Sequence, residues 1–154
     1  MHAVLFDVDG TLMKAGGAGR EALARGAAAA LGVPLDRARE AAMAMDFRGR
    51  IDPLLVDELT ERLGFEARRF DHLVIQGYLA ELSATLAVAR VELLPGVHDV
   101  ILRLEARGDV IVGLLTGNVR DGARLKLARV GLAHLADRPG GFGEDGRTRV
   151  EVAR

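Results

Sequence analysis

Apolar positions fall into three regimes along the chain. The first is a short unbroken run, Ala3-Val4-Leu5-Phe6, that stops at Asp7-Val8-Asp9-Gly10-Thr11. Its length, β-branched and aromatic content and polar stop predict a buried strand. From about Gly16 to Arg90 the chain is rich in Ala, Leu and Arg and reads as helices. A helix from about Arg20 to Leu31 is stopped by Gly32, with Pro34 just beyond. Asp52-Pro53 reads as an N-cap followed by Pro at the first helical position, opening a helix that Gly64 ends after Leu63. A longer helix, from about Ala67 to Val88, carries Phe70, Leu73, Val74, Tyr78 and Leu82 at helical spacing.

The third regime begins near Leu93. Pro95-Gly96 starts a helix from Val97 to about Arg107, closed by Gly108. Asp109 to Leu115 is, after its first residue, continuously apolar, as expected of a strand buried on both faces of a parallel sheet. It ends in Thr116-Gly117-Asn118, and a helix from about Val119 to Val130 follows. Gly140-Gly141-Phe142-Gly143 fits a short third strand. Strand–helix alternation on both sides of a helical block predicts an α/β core with a helical insertion.

Composition narrows the classes. The 154 residues suit about one domain, and 49% hydrophobic residues supply a sizeable core. A formal net charge of −1 argues against a generic nucleic-acid or anionic-membrane binder, which should be clearly basic. The lack of cysteine removes disulfide scaffolds, zinc–thiolate sites and thiol nucleophiles. No apolar run approaches the length of a membrane span. The N-terminus has no basic n-region and carries Asp7 and Asp9 where a signal peptide would be apolar. A soluble, cytoplasmic protein is the expectation.

The chemistry concentrates at the ends of the two apolar strands. In open α/β sheets, ligands bind outside the carboxyl ends of strands. Asp7 and Asp9 there can share one crevice, one carboxylate attacking an electrophile and the other moving a proton. Close carboxylates also attract a hard cation such as magnesium. The bland alternative is a turn in which Asp and Gly serve geometry only. At the second strand end, the Thr116 hydroxyl and the N–H groups of a helix N-terminus make a phosphate cradle, or Thr116 and Asn118 merely cap the helix. Arg48 and Arg50, flanking Gly49, are placed to receive an anionic substrate group or to pair with Asp46 or Asp52. Gly17-x-Gly19-x-x-Ala22 matches a dinucleotide pattern but follows a loop, and reads as a hinge.

Asp7-Val8-Asp9-Gly10-Thr11-Leu12 resembles the first motif of the haloacid dehalogenase superfamily, and Thr116 after an apolar strand resembles its second. Asp46 to Pro53, Leu94-Pro95-Gly96-Val97, and Thr116-Gly117-Asn118 with Arg124 to Leu127 are similar to a phosphoglycolate-phosphatase-like subgroup. The resemblance implies a Rossmann-like parallel-sheet core, residues 1–15 and 91–154, with residues 16–90 as an inserted helical cap. It implies a magnesium-dependent phosphatase acting on a small phosphorylated metabolite, nominally phosphoglycolate-like. A β-phosphoglucomutase-like phosphotransferase and a catalytically inactive relative are the alternatives. Asp7 would attack phosphorus. Asp9 would protonate the leaving alcohol and then activate water. Thr116 would hydrogen-bond the phosphoryl oxygens. Gly117, Asn118 and Arg50 would contact substrate, and magnesium would bridge Asp7, the Asp9 carbonyl and the phosphate.

The third motif of that family is a basic residue. Arg149 matches its place best, with Arg147 as neighbour. Lys126 lies roughly 11 Å along its helix axis from the helix start, which strains its reach. A fourth, acidic motif follows a further strand in the family, and the chain reaches Arg154 before one. The core is therefore expected to be incomplete at that end. Ala3 to Phe6 should lie at a sheet edge open to self-association, and magnesium should bind weakly.

Overall fold

The computed structural model describes residues 1–153; Arg154, the last residue assigned to the core segment, lies outside them. In chain order the elements begin with β1 (His2–Phe6), β2 (Met13–Lys14), α1 (Ala18–Leu31), α2 (Leu35–Met43), α3 (Asp52–Arg62) and α4 (Asp71–Val88). They continue with β3 (Glu92–Leu93), α5 (Val97–Glu105), β4 (Val110–Leu115), α6 (Arg120–Ala128), β5 (Gly140–Gly141) and α7 (Arg149–Val152). Two short 3-10 turns lie at Ala133–Asp137 and Gly143–Asp145.

The main sheet is parallel, in the order β1-β4-β5. This is the α/β architecture that the alternation of strand and helix predicts. His2 stands opposite Val110 and Phe6 opposite Leu114. Parallel strands in that register release Asp7 and Thr116 at the same end of the sheet, which is what positions the site.

β4 is better covered than β1: Val112 and Leu114 on one face are almost fully buried, and on the other Gly113 is buried while Ile111 and Leu115 are partly so. β1 pairs on one side only among the described residues, and its burial alternates, leaving Leu5 45% exposed. The expectation of a buried first strand fails because helices and neighbours cover the middle of a sheet before its rim.

Two apolar clusters form. One gathers Val8, Leu12, Ile101, Leu114, Leu127 and Phe142 around the sheet. The other gathers Leu23, Leu55, Leu59, Val74, Tyr78 and Leu82 among the four helices between β2 and β3. The chain enters that helical block through β2 and leaves through β3, and these two strands pair antiparallel, Met13 opposite Leu93. The Gly17-x-Gly19-x-x-Ala22 segment thus follows an antiparallel strand of two residues, not the parallel strand a dinucleotide fingerprint requires.

The helix boundaries shift for local reasons. α2 escapes the sequence pattern because its buried positions are only Ala38 and Ala42, a stripe too small to register. α4 starts at Asp71, after a turn in which Arg68 adopts a left-handed φ of 68°. Its Leu73 lies outward, 40% exposed. α1 and α4 cross at Gly26 and Gly77, where a Cβ on Gly26 would stand 2.3 Å from the backbone N of Tyr78. Among the described residues no helix is long and apolar enough to cross a membrane.

Candidate active site

Asp7 leaves β1 with both carboxylate oxygens engaged. The Val8 amide donates to Oδ1 at 2.8 Å, and Arg149 Nη2 donates to Oδ2 at 2.6 Å. Two residues on, Asp9 Oδ2 accepts from Lys126 Nζ at 2.7 Å and from Asn118 Nδ2 at 2.8 Å. Lys126 also donates to Asn118 Oδ1 at 2.6 Å, closing a three-membered ring of side chains. Asn118 Nδ2 donates in turn to Thr116 Oγ1 at 2.8 Å. Asp9, Asn118, Thr116 and Lys126 are therefore one network at the carboxyl end of the sheet. Asp7 and Arg149 stand beside it on the same cavity.

Crowding by protein pushes the Asp9 carboxyl up, but the charge and hydrogen bond of Lys126, with that of Asn118, outweigh it and hold the group below the usual carboxylate range. Lys126 itself is only 6% exposed. Its reach is a correction to the sequence expectation. Side chains on a helix tilt toward its N-terminus, so an extended lysine stem recovers much of the axial rise. Of the three basic candidates, Arg149 and Lys126 reach the two acids, whereas Arg147 pairs with Asp57 on α3 at 3.2 Å.

The helix N-terminus does not form the expected open cradle. The Val119 amide donates to Asp52 Oδ2 at 2.9 Å, and the Arg120 amide to both oxygens of Glu144 at 2.9 and 3.0 Å. Two carboxylates from elsewhere in the fold already occupy the positive end of α6. Thr116, 1% exposed, sits behind Asn118 and accepts from both the amide and the side chain of that residue. Lys126 and Arg149 line the cavity, whereas the first amides of α6 are already taken by Asp52 and Glu144.

Asp52 was expected to cap its own helix. Instead it caps α6, and its amide donates to the Gly117 carbonyl at 2.7 Å. Burial pushes its carboxyl up to about 6; Lys126 and the Val119 N–H oppose this, while Asp9 and Glu144 add repulsion. Gly117 is wedged against the same loop, where a Cβ would lie 2.3 Å from the Arg50 carbonyl oxygen. Only glycine lets the turn after β4 touch the helical block this closely. Asp52, Tyr78 and Lys126 also line a cavity of about 30 Å³, room for one water.

The main cavity has a volume of about 800 Å³. Its floor holds Asp7, Asp9, Gly117, Asn118, Lys126 and Arg149, and the helical block supplies its other walls. Arg50 reaches the cavity, but its guanidinium is committed to Glu58 and to the Leu54 carbonyl at 3.2 Å. Arg48 pairs with Asp46 at 3.2 Å. Asp52 and Glu144 are the residues that sequence reasoning missed. Both are acids placed against α6 by chain segments remote from it, and no local pattern marks them as partners of that helix.

A family model described as haloacid dehalogenase-like hydrolase matches residues 1–150. No curated protein matches the chain.

Proposed function

The chain belongs to the haloacid dehalogenase-like hydrolases, and we propose that it is a phosphatase of the phosphoglycolate-phosphatase-like kind, with residues 16–90 as its cap. The observation that carries the proposal is the pairing of the two acids after β1 with two different cations, Asp7 with Arg149 and Asp9 with Lys126. Phosphoryl transfer asks mainly for placement and charge neutralisation. A phosphomonoester in this cavity would find a carboxylate nucleophile, a second carboxyl for the proton, and two cations for its oxygens.

In the first step Asp7 forms a bond to phosphorus as the bond to the ester oxygen breaks. Asp9 gives its proton to the departing alkoxide. In the second, Asp9 takes a proton from water, the water oxygen attacks phosphorus, and inorganic phosphate leaves with Asp7 restored. Lys126 keeps Asp9 ionised at rest, which suits the second step. The charge of the incoming phosphate opposes Lys126 and favours the protonated form needed for the first.

Magnesium is the ion this reading implies. The Asp7 carboxylate and the Asp9 main-chain carbonyl fit it in kind, since magnesium is usually held by one or two carboxylates, substrate phosphate and water. When bound, it would neutralise charge on the transferring phosphoryl group. Among the described residues no group of three or more His, Cys, Asp or Glu stands ready to hold a metal ion.

A second reading, an inactive anion-binding relative, draws on the Arg149 contact that covers Asp7 Oδ2. One experiment separates the two. Incubation with a phosphomonoester panel and magnesium, followed by acid quench and peptide mass spectrometry, should find phosphate on the peptide bearing Asp7. Asp7→Asn should abolish turnover, and Asp9→Asn should reduce it by about 100-fold or more. Unchanged turnover in either variant rejects the assigned roles. Absence of turnover and adduct in the unmutated chain supports the inactive reading.

A further inference from the structure

Six cations line the main cavity, and five are each matched to a carboxylate. Arg39 pairs with Glu21 at 2.6 Å, Arg48 with Asp46 at 3.2 Å, Lys126 with Asp9 at 2.7 Å, Arg149 with Asp7 at 2.6 Å, and Arg50 with Glu58. Arg20 is the exception among the described residues. Its guanidinium lies 4.5 Å from the centroid of the Phe47 ring. It donates to the Met45 carbonyl at 3.3 Å and weakly to Met43 Sδ at 3.7 Å. Asp46 feels its charge, but the Oδ1 of that residue accepts from the Arg48 backbone and side chain. A partly buried guanidinium has five N–H donors, and these contacts leave several of them open.

The position of Arg20 completes the picture. Gly19, its chain neighbour, lies against the floor of the cavity, where a Cβ would stand 3.6 Å from Lys126 Nζ. Arg20 thus starts beside the Asp9 network and carries its charge away from it, toward Phe47 and Met43. Both of those residues line the cavity. The volume of about 800 Å³ is in the range that takes a drug-sized ligand, far more than a two-carbon phosphate fills.

We propose that Arg20 and Phe47 form a second anion subsite, so that the substrate is a phosphomonoester joined through an apolar spacer to a second anionic group, a carboxylate. A single planar guanidinium matches a carboxylate two oxygens to two donors. The stacked Phe47 ring holds the fork flat, and Met43 with Phe47 offers the apolar surface along which the spacer lies. This deepens the phosphatase reading and rests on it for the identity of the first anion.

The test uses two matched non-hydrolysable probes, phenylphosphonate and 4-carboxyphenylphosphonate, titrated calorimetrically with magnesium present. The unmutated chain should bind the carboxylated probe about tenfold more tightly, the size of one charge-assisted contact. Arg20→Met should bring the ratio of the two Kd values close to one. Arg20→Lys, which keeps the charge without the fork, should leave part of the preference. Equal affinities in the unmutated chain overturn the subsite, as does a ratio that Arg20→Met leaves unchanged. Turnover of the corresponding phosphates is read separately. Turnover without preference overturns the subsite and leaves the phosphatase reading standing. Preference without turnover supports the subsite and overturns that reading. Binding of neither probe overturns the subsite.

Discussion

Asp52 carries a cost that its neighbours only partly offset. Its carboxyl titrates at about 6, above the usual aspartate value, because burial and the negative charges of Asp9 and Glu144 outweigh Lys126 and the Val119 N–H. The folded state therefore holds that proton more tightly than the unfolded chain does. Between the unfolded value near 4 and the folded value, the unfolded chain has lost its proton and the folded chain has not, so stability falls as pH rises through that window. Asp52→Asn keeps an oxygen for the Val119 amide and removes the charge. It should match the unmutated chain at pH 4 and exceed it at pH 7.5 by on the order of 2 kcal/mol, measured by chemical denaturation. A variant weaker at pH 7.5 than at pH 4, relative to the unmutated chain, would show that attraction to Lys126 dominates.

The packing of α1 on α4 rests on a backbone approach. A Cβ on Gly77 would stand 2.7 Å from the Gly26 carbonyl oxygen, and one on Gly26 only 2.3 Å from the backbone of Tyr78. Gly26→Ala improves helix propensity by less than about 1 kcal/mol. The clash is with backbone, which cannot rotate away, and overpacking of this kind costs roughly 1–3 kcal/mol. Net destabilisation is the expected result, seen as a lower midpoint in thermal unfolding; a raised midpoint would mean that the helices part without cost. Tyr78 carries the effect onward, since its hydroxyl lies 3.4 Å from where a Cβ on Gly122 of α6 would be. Most of these helices were legible in the sequence, because glycine stops and apolar spacing are local signals. α2 was not, because alanines at its buried positions leave no hydrophobic contrast. The N-cap role of Asp52 was misread because a carboxylate before Pro53 looks the same whether it serves its own helix or one 67 positions away.

Across the whole molecule, β1 is an edge of the main sheet among the described residues. It pairs with β4 alone among the described residues, and Leu5 adds apolar surface beside it, 45% exposed. An open apolar edge is a template for a second strand. We propose that two copies pair through this edge. Light scattering across a concentration series should show mass rising with concentration, and Leu5→Lys should return the chain to monomer. A monomer at every concentration would reject it.

The local reading reached the strands, most helices and the two acids that follow β1, because period, turn chemistry and polar stops are written in neighbouring residues. It also pointed to Arg149 on the strength of a resemblance. It did not reach the partnerships that make the site. Asp7 and Arg149 are 142 positions apart, and Asp9 and Lys126 are 117 apart. Which cation meets which acid, which carboxylates close the end of α6, and which arginine is left without one all depend on where parallel strands and packed helices bring remote side chains together. Charge pairing acts over a few ångströms in space and has no period along the chain, so only the folded arrangement could decide it.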